Sequence, residues 1–154
     1  MNFPKVQRLL VLLLLVSVFL PLGLVAQTSN GQYGTIIAKV IAFRAAKGNI
    51  ELSLYDKEKK FPDMDMRMIT QSKPVTNGSV VEVRFEKVPY GIYAIAGHHD
   101  ENKSGEMDYS WLGLPQEGYC FSNDAKPFLS PPSFKEAKFM LNQKEKVVYI
   151  TMQY

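Results

Sequence analysis

The chain has 154 residues, of which 18 are lysine or arginine and 15 are aspartate or glutamate. Two of the basic residues, Lys5 and Arg8, lie before an N-terminal apolar run, so residues 27–154 carry a net charge of about +1. This balance excludes the extended positive surface that nucleic acid or anionic lipid would require.

The N-terminus has the parts of a secretory signal peptide. An apolar run from Leu9 to Leu20 follows the two basic residues, and Ala26 supplies a small residue before the cut. A retained membrane anchor is the alternative, because Leu24 is bulky for the third position before the cut. The run is about twelve residues long, whereas a membrane-spanning helix needs roughly 20. We therefore predict a signal peptide at 1–26, a linker at 27–33 and one domain at 34–154, exported to the periplasm or cell surface or secreted, with no later membrane span.

Hydrophobic residues in the predicted domain alternate with period two, which is typical of β-strands. In "GNIELSLYD", for example, Ile50, Leu52 and Leu54 alternate with Glu51 and Ser53. The segment "YGIYAIAG" is apolar throughout, as expected of a central strand that is covered on both faces. Similar strand segments are "GTIIAKVIAF", "SVVEVRFEKV" and "KVVYITMQY". The pattern predicts an all-β protein, an antiparallel β-sandwich of about seven short strands.

Two segments interrupt this strand pattern. Residues 56–78 are predicted to be a charged loop that ends in an Asn-Gly turn. Residues 99–133 form a longer loop with a single helical turn at its end, where Ser133 and Glu136 have the spacing of a capping box. Structureless loops of this length are uncommon in compact domains and are usually functional or held by a bound group.

The longer loop opens with "HHDENKSGEMD", which has the spacing of a calcium-binding loop. Counted from Asp100, oxygen ligands fall at alternate positions, and Gly105 allows the sharp turn between them. The predicted ligands are Asp100, Asn102, Ser104, Glu106 through its carbonyl oxygen, and Asp108. Alternate side-chain oxygens can converge on one point, which suits the hard oxygen shell of Ca²⁺. The alternative interpretation is an Asp/Asn/Gly turn with solvated charges.

The twelfth position of this loop departs from the calcium pattern. A bidentate glutamate is expected there, and Trp111 occupies the position instead. Glu117 is the nearest acidic residue after the loop and is our candidate for the closing ligand, with Asp124 as the second choice. Because no helices flank the loop, we predict a variant that lies between strands.

The histidines allow two further hypotheses. A structural zinc site needs four nitrogen or sulfur ligands, and the chain has only two histidines and one cysteine. We expect His99 to hydrogen-bond the loop backbone or to orient Asp100. The enzymatic alternative is a small hydrolase or lyase in which His99 acts with Asp100, Asp108 or Glu117. No motif places a serine beside a base, however.

Five aromatic residues lie in the longer loop: Tyr109, Trp111, Tyr119, Phe121 and Phe128. We expect them to form a hydrophobic cluster that fixes the loop. A groove for a small apolar ligand is the alternative, and would make the protein a carrier. Cys120, the only cysteine, cannot form an internal disulfide and is expected to be a small buried hydrophobe.

An ordered series of short motifs spans the predicted domain. It runs "GIYAIAGHHDENKSGEMD", "GLPQEGYCFSN" and "PPSF". This series resembles a family of exported bacterial proteins known as domain-of-unknown-function family 2141. The resemblance implies a transthyretin-like or immunoglobulin-like β-sandwich, assigns no activity and favours Glu117 as the closing ligand. Ser104 stands where the family usually has asparagine, and Cys120 stands where glycine is usual.

Together these features predict an exported, non-enzymatic binding or structural module with a calcium-binding loop. Its partner, a protein or a small molecule, is not specified by the sequence. The hydrolase and carrier alternatives remain open at this point, because β-sandwiches host all three functions.

Overall fold

The structure is a computed structural model that describes residues 31–76 and 80–154. The predicted signal peptide, residues 27–30 of the linker and the predicted Asn77-Gly78 turn lie outside the described residues. The first strand begins at Tyr33, within the predicted linker.

Eight strands lie in the described part of the chain. Their bounds are β1 Tyr33–Ile41, β2 Asn49–Tyr55, β3 Ile69–Pro74, β4 Val80–Pro89, β5 Gly91–Asp100, β6 Gly118–Phe121, β7 Phe139–Leu141 and β8 Glu145–Thr151. Short 3₁₀ turns span Glu58–Lys60, Met64–Met66 and Ser122–Asp124, and one helical turn, α1, spans Phe134–Ala137. None of the helices in residues 31–76 and 80–154 is long and apolar enough to cross a membrane.

The strands form two sheets. The first has the order β4-β1-β8, and the second has the order β3-β2-β5-β6, with β7 also paired to β5. Apolar side chains from both sheets meet in one core that includes Ile36, Val40, Val83, Phe85 and Ile150 from the first sheet and Ile50, Leu52, Leu54 and Ile95 from the second. The all-β, sandwich-like architecture is therefore confirmed.

Alternation along β2 explains which face of the second sheet enters the core. Ile50, Leu52 and Leu54 are fully buried in it, as their spacing predicts. The other face is also covered, by a second cluster that contains Tyr55, Ala94, Ala96, Phe121, Phe134 and Ala137. This second cover explains why β5 is apolar on both faces. It also means that polar residues at the end of β5 lie close to buried surface.

Three features of the fold differ from the sequence prediction. β1 and β8 are parallel, so the prediction of a purely antiparallel sandwich is wrong for this pair. Side chains alternate in both strand orientations, and the pattern therefore carries no direction. The predicted loops are also not structureless, since 56–78 contains β3 and 99–133 contains β6 and a 3₁₀ turn. β5 continues to Asp100, three residues beyond the predicted strand.

The predicted capping box is confirmed at α1. The Ser133 side chain accepts a hydrogen bond from the backbone N–H of Glu136, and the Glu136 carboxylate accepts one from the N–H of Ser133. Phe134 and Ala137 on this turn are buried in the second cluster. The cap therefore fixes a short turn that packs on the outer face of β5.

A buried serine joins this layer to the sheet, and its removal should be costly. Ser122 is fully buried, and its Oγ accepts from the N–H of Ile95 at 2.8 Å and donates to the carbonyl of Ala137 at 2.6 Å. Because Ser122→Ala leaves both groups without this partner, we expect a loss of about 2 kcal/mol in the free energy of unfolding. Urea unfolding measures this loss.

Ser130→Ala, at an exposed position, is the control and should change stability by less than about 0.5 kcal/mol. Equal losses in the two variants would show that the buried hydroxyl of Ser122 does not hold the outer layer to the sheet.

Candidate functional site

The candidate site lies where β5 and β6 diverge. His99 pairs with Gly118 in the antiparallel ladder, so extending the register by one residue places Asp100 opposite Glu117. Residues 101–116 form the loop between them. Both carboxylates are buried, with 1% and 5% of their residue surface exposed. Side chains that face each other in this way are about 5 Å apart at their Cβ atoms, and like charges in such a pair repel.

Asp100 organises the first half of the loop. Its Oδ1 accepts from the N–H of Ser104, and its Oδ2 accepts from the N–H of Gly105, each at 2.9 Å. Gly105 has a φ of +84°, a conformation that glycine adopts without steric cost. The turn predicted at this glycine is therefore present, and it closes over the Asp100 carboxylate.

Glu117 closes the other end of the loop. Its Oε1 accepts from the N–H of Glu101 at 2.8 Å, and its Oε2 accepts from the N–H of Asp108 at 3.3 Å. One carboxylate thereby joins the start of the loop to its ninth position. Glu117 does so although eight residues separate it from Asp108, because those residues form a projecting turn.

The remaining predicted ligands contact one another. The Asn102 side chain accepts from the N–H of Ser104 at 2.9 Å and donates to Asp108 Oδ2 at 2.7 Å. The Ser104 hydroxyl donates to the carbonyl of Glu106 at 3.0 Å. Asn102, Ser104 and Glu106 are exposed, whereas Asp108 is half-buried. The structure thus brings all six predicted residues into one hydrogen-bonded loop.

The donor set has a clear chemical character. Its groups are carboxylate, amide, hydroxyl and carbonyl oxygens, which are the ligands that Ca²⁺ prefers. Within the described ranges, no three or more His, Cys, Asp and Glu side chains are grouped so that they could hold a metal ion. The donor types therefore fit calcium, but the side chains would have to draw closer together to enclose an ion.

Two basic residues that follow β1, Arg44 and Lys47, form ion pairs with Glu101 in the loop. Its carboxylate bonds Arg44 Nε at 2.5 Å and Lys47 Nζ at 2.9 Å. Burial opposes ionisation of Glu101, but the hydrogen bonds from Lys47 and Arg44 outweigh it and lower its pKa. Among the described residues, no ion pair involves Asp100 or Glu117. Sequence reasoning missed this Arg44–Lys47–Glu101 group because no local spacing links residues so far apart.

His99 does not have the role that its neighbours suggest. The side chain is fully buried on the opposite face of β5 from Asp100. Its Nε2 donates to the carbonyl of Lys47 at 2.7 Å, and its Nδ1 accepts from the hydroxyl of Tyr154 at 2.9 Å. The prediction that His99 bonds the loop or orients Asp100 is wrong. With both nitrogens engaged, His99 also has no free atom to serve as the base in the hydrolase alternative.

His98 lies on the same face of β5 as Asp100. It is 4% exposed, and its Nε2 has no hydrogen-bond partner among the described residues. Burial lowers the pKa of His98 and outweighs the opposite influence of Glu117, Asp100 and Glu51. A neutral imidazole beside the carboxylates supplies no positive charge to balance them.

Cys120 and Asp124 have structural contacts outside the loop between β5 and β6. Cys120 is a buried member of the main core, and burial raises the pKa of its thiol, so the prediction of a buried hydrophobe is confirmed. Asp124, the second choice for the closing ligand, accepts from the N–H and hydroxyl of Thr151 at 2.7 and 3.2 Å. Its carboxylate is therefore engaged with β8, and Glu117 holds the loop.

The loop aromatics divide into two groups. Phe121 is buried and Tyr119 packs against the same cluster, as expected. Tyr109, Trp111 and Phe128 are instead 61%, 91% and 85% exposed, so the predicted aromatic cluster is wrong for these three. Sequence composition could not separate the groups, because nothing in a loop pattern specifies which side chains reach the core.

The fold and loop define a small all-β domain of two sheets with an oxygen-rich loop between neighbouring strands. The family model described as "Uncharacterized protein conserved in bacteria (DUF2141)" matches residues 38–149, most of the chain. The chain therefore belongs to this bacterial family, as the sequence motifs indicate. No curated protein and no solved structure matches the chain.

Proposed function

We propose that the protein is an exported, non-enzymatic β-sandwich module whose loop between β5 and β6 binds Ca²⁺. One observation carries the calcium proposal: Asp100 and Glu117 are both buried, face each other and form no ion pair with the described residues. Buried carboxylates are costly unless they are paired with positive charge or fully hydrogen-bonded. A divalent cation would balance this pair.

The hydrogen bonds to Asp100 and Glu117 do not use all the lone pairs of their carboxylates, so a cation can still bind there. Each of the four carboxylate oxygens of Asp100 and Glu117 accepts one backbone N–H. A carboxylate has about four lone-pair sites, so a second partner can bind on the remaining ones. Asn102, Ser104 and Asp108 offer further oxygen atoms in the same loop. The export part of the proposal rests on the N-terminal apolar run with its basic start.

Thermal unfolding with and without metal tests the calcium proposal. Extracellular calcium modules bind with dissociation constants of about 0.1–1 mM. If the constant is about 0.1 mM, then roughly 10 mM Ca²⁺ stabilises the folded state by about 2.7 kcal/mol. The midpoint should rise by roughly 5–15 °C relative to excess chelator, and the same concentration of Mg²⁺ should raise it much less.

Two variants with matched chemistry make the test specific. Glu117→Gln keeps the side-chain size but removes the charge, and should abolish the calcium-dependent rise. Asp124→Asn makes the same change at the carboxylate on β8 and should preserve the rise. An unchanged midpoint of the wild-type protein in Ca²⁺ would sink the proposal, as would an undiminished rise in Glu117→Gln.

A further inference from the structure

The eight residues between Asp108 and Glu117 form a projecting apolar turn, here called the apolar hairpin (residues 109–116). Trp111 is 91% exposed, and Leu112, Leu114 and Tyr109 are 63%, 62% and 61% exposed. Every residue from 111 to 116 is exposed, and a Cβ built on Gly113 meets nothing within 4 Å. Clustered apolar side chains with this exposure usually mark an interaction surface.

Backbone hydrogen bonds close the base of the apolar hairpin and leave its tip open. Ser110 donates its N–H to the carbonyl of Leu114 at 2.8 Å, and Gly113 donates to the carbonyl of Ser110 at 2.9 Å. The N–H of Leu114 bonds the Ser110 hydroxyl at 3.1 Å, and that of Gln116 bonds the carbonyl of Asp108 at 2.9 Å. The N–H and C=O groups of Trp111 and Leu112 take part in none of these bonds. They need water, so the tip can enter the hydrated head-group layer at low cost but not the hydrocarbon core.

The side chains also suit a lipid surface. Residues 109–116 contain no Lys, Arg, Asp, Glu or His, and they combine tyrosine and tryptophan with two leucines. Tyrosine and tryptophan concentrate at membrane–water interfaces, where one part of the ring is apolar and the other is wet. The base of the apolar hairpin carries five carboxylates, those of Asp100, Glu101, Glu106, Asp108 and Glu117, against the three basic side chains of Arg44, Lys47 and Lys103. Without a bound cation this base is net acidic, so anionic head groups are repelled and neutral ones tolerated.

We propose that the apolar hairpin inserts its tip into the interfacial layer of a membrane with neutral, zwitterionic head groups. Trp111, Leu112 and Leu114 enter the boundary between head groups and acyl chains, and the acidic base stays in water. Insertion of the tip does not require calcium, but a cation bound beside Asp108 and Glu117 would remove the repulsion of anionic head groups. A projecting turn of this kind favours a soft lipid surface over a flat protein surface, because its apolar area is convex and exposed on several sides.

Trp111 is the only tryptophan in the chain, so its fluorescence reports on the apolar hairpin alone. Full-length protein is titrated with phosphatidylcholine vesicles and, in parallel, with vesicles that contain phosphatidylglycerol. We expect a blue shift of the emission in phosphatidylcholine and quenching by brominated phosphatidylcholine. In excess chelator, which leaves the carboxylates at the base without a cation, the shift in phosphatidylglycerol should be weaker. Variants in the apolar hairpin keep the same N-terminal residues, so a shift caused only by the membrane affinity of the N-terminal apolar run would persist in them.

Variants separate the apolar hairpin from other exposed apolar residues. Leu112→Asp combined with Leu114→Asp should raise the lipid concentration for half-maximal shift by at least about tenfold. Leu129→Asp, at a 97% exposed position in the segment after β6, should leave it unchanged. Since all three sites are exposed, circular dichroism should show native folding in each variant.

Several results would overturn the proposal. They are no shift in phosphatidylcholine, an equal shift in the double variant, or a loss in Leu129→Asp as large as in the double variant. A blue shift that grows with protein concentration in the absence of lipid would assign the apolar hairpin to a second copy of the chain instead. Sedimentation velocity would show that association directly.

Discussion

Gly48→Ala should destabilise the folded protein by about 4 kcal/mol, because the added methyl group would collide with backbone. Gly48 has a φ of +67°, and a Cβ built there lies 2.1 Å from the carbonyl oxygen of Asp100 and 2.6 Å from Cα of Glu101. Neither atom belongs to a flexible side chain, so the turn or the end of β5 must move. Urea unfolding at 25 °C measures the loss.

Gly105→Ala is the matched control. Gly105 has a φ of +84°, but a Cβ built there meets nothing within 4 Å. Its replacement should cost only the strain of a positive φ, about 1 kcal/mol. The difference between the two variants isolates the collision at Gly48. Equal losses would show that the turn containing Gly48 does not press against the end of β5.

The close approach at Gly48 explains how the candidate loop is held from outside. The turn before Gly48 places Lys47 against the start of the loop, where its carbonyl accepts from His99 and its ammonium group bonds Glu101. Arg44 in the same turn bonds Glu101 and the carbonyl of Gln116. A side chain at position 48 would displace the end of β5 and so separate Lys47 and Arg44 from Glu101. The loop is therefore fixed at both ends by the fold, whether or not an ion is bound.

The buried face of each strand could be predicted from the sequence because successive side chains point to opposite faces of a sheet. Val83 and Phe85 are fully buried and Glu82 and Arg84 are exposed, as period two requires. The direction of β8 could not be predicted, because parallel and antiparallel strands share that period. β6 could not be predicted for another reason: its four residues are too few to show a strand period within a long segment without such a pattern.

The candidate site could be predicted only in its local part. Asp100, Asn102, Ser104 and Asp108 are close in sequence, so their spacing already determines that they share one turn. Glu117 follows from the same reasoning only as the nearest acidic residue, yet the structure places it opposite Asp100. The Glu101 ion pairs depend on a turn more than fifty residues away. No local pattern contains that information.

His99→Leu should destabilise the protein by about 2–3 kcal/mol, because it removes the buried centre of a hydrogen-bond chain whose outer groups are exposed. The chain runs from the N–H of Arg44 to the hydroxyl of Tyr154, from that hydroxyl to Nδ1 of His99, and from Nε2 to the carbonyl of Lys47. Leucine has similar bulk but neither donates nor accepts. Urea unfolding measures the loss, with unchanged circular dichroism at zero urea as the check on the fold.

Tyr154→Phe tests the same hydrogen-bond chain from its other member, because it removes only the hydroxyl. The ring remains, and with it the contact with Arg44, whose guanidinium carbon lies 4.5 Å from the ring centroid. It should cost about 1–2 kcal/mol. Combined with His99→Leu, it should cost less than the sum, with a coupling of about 1 kcal/mol, because both variants break the same bond. A catalytic His99 predicts the opposite pattern, namely normal stability with loss of a turnover. Full stability of His99→Leu would therefore contradict the structural role that its two hydrogen bonds assign to it.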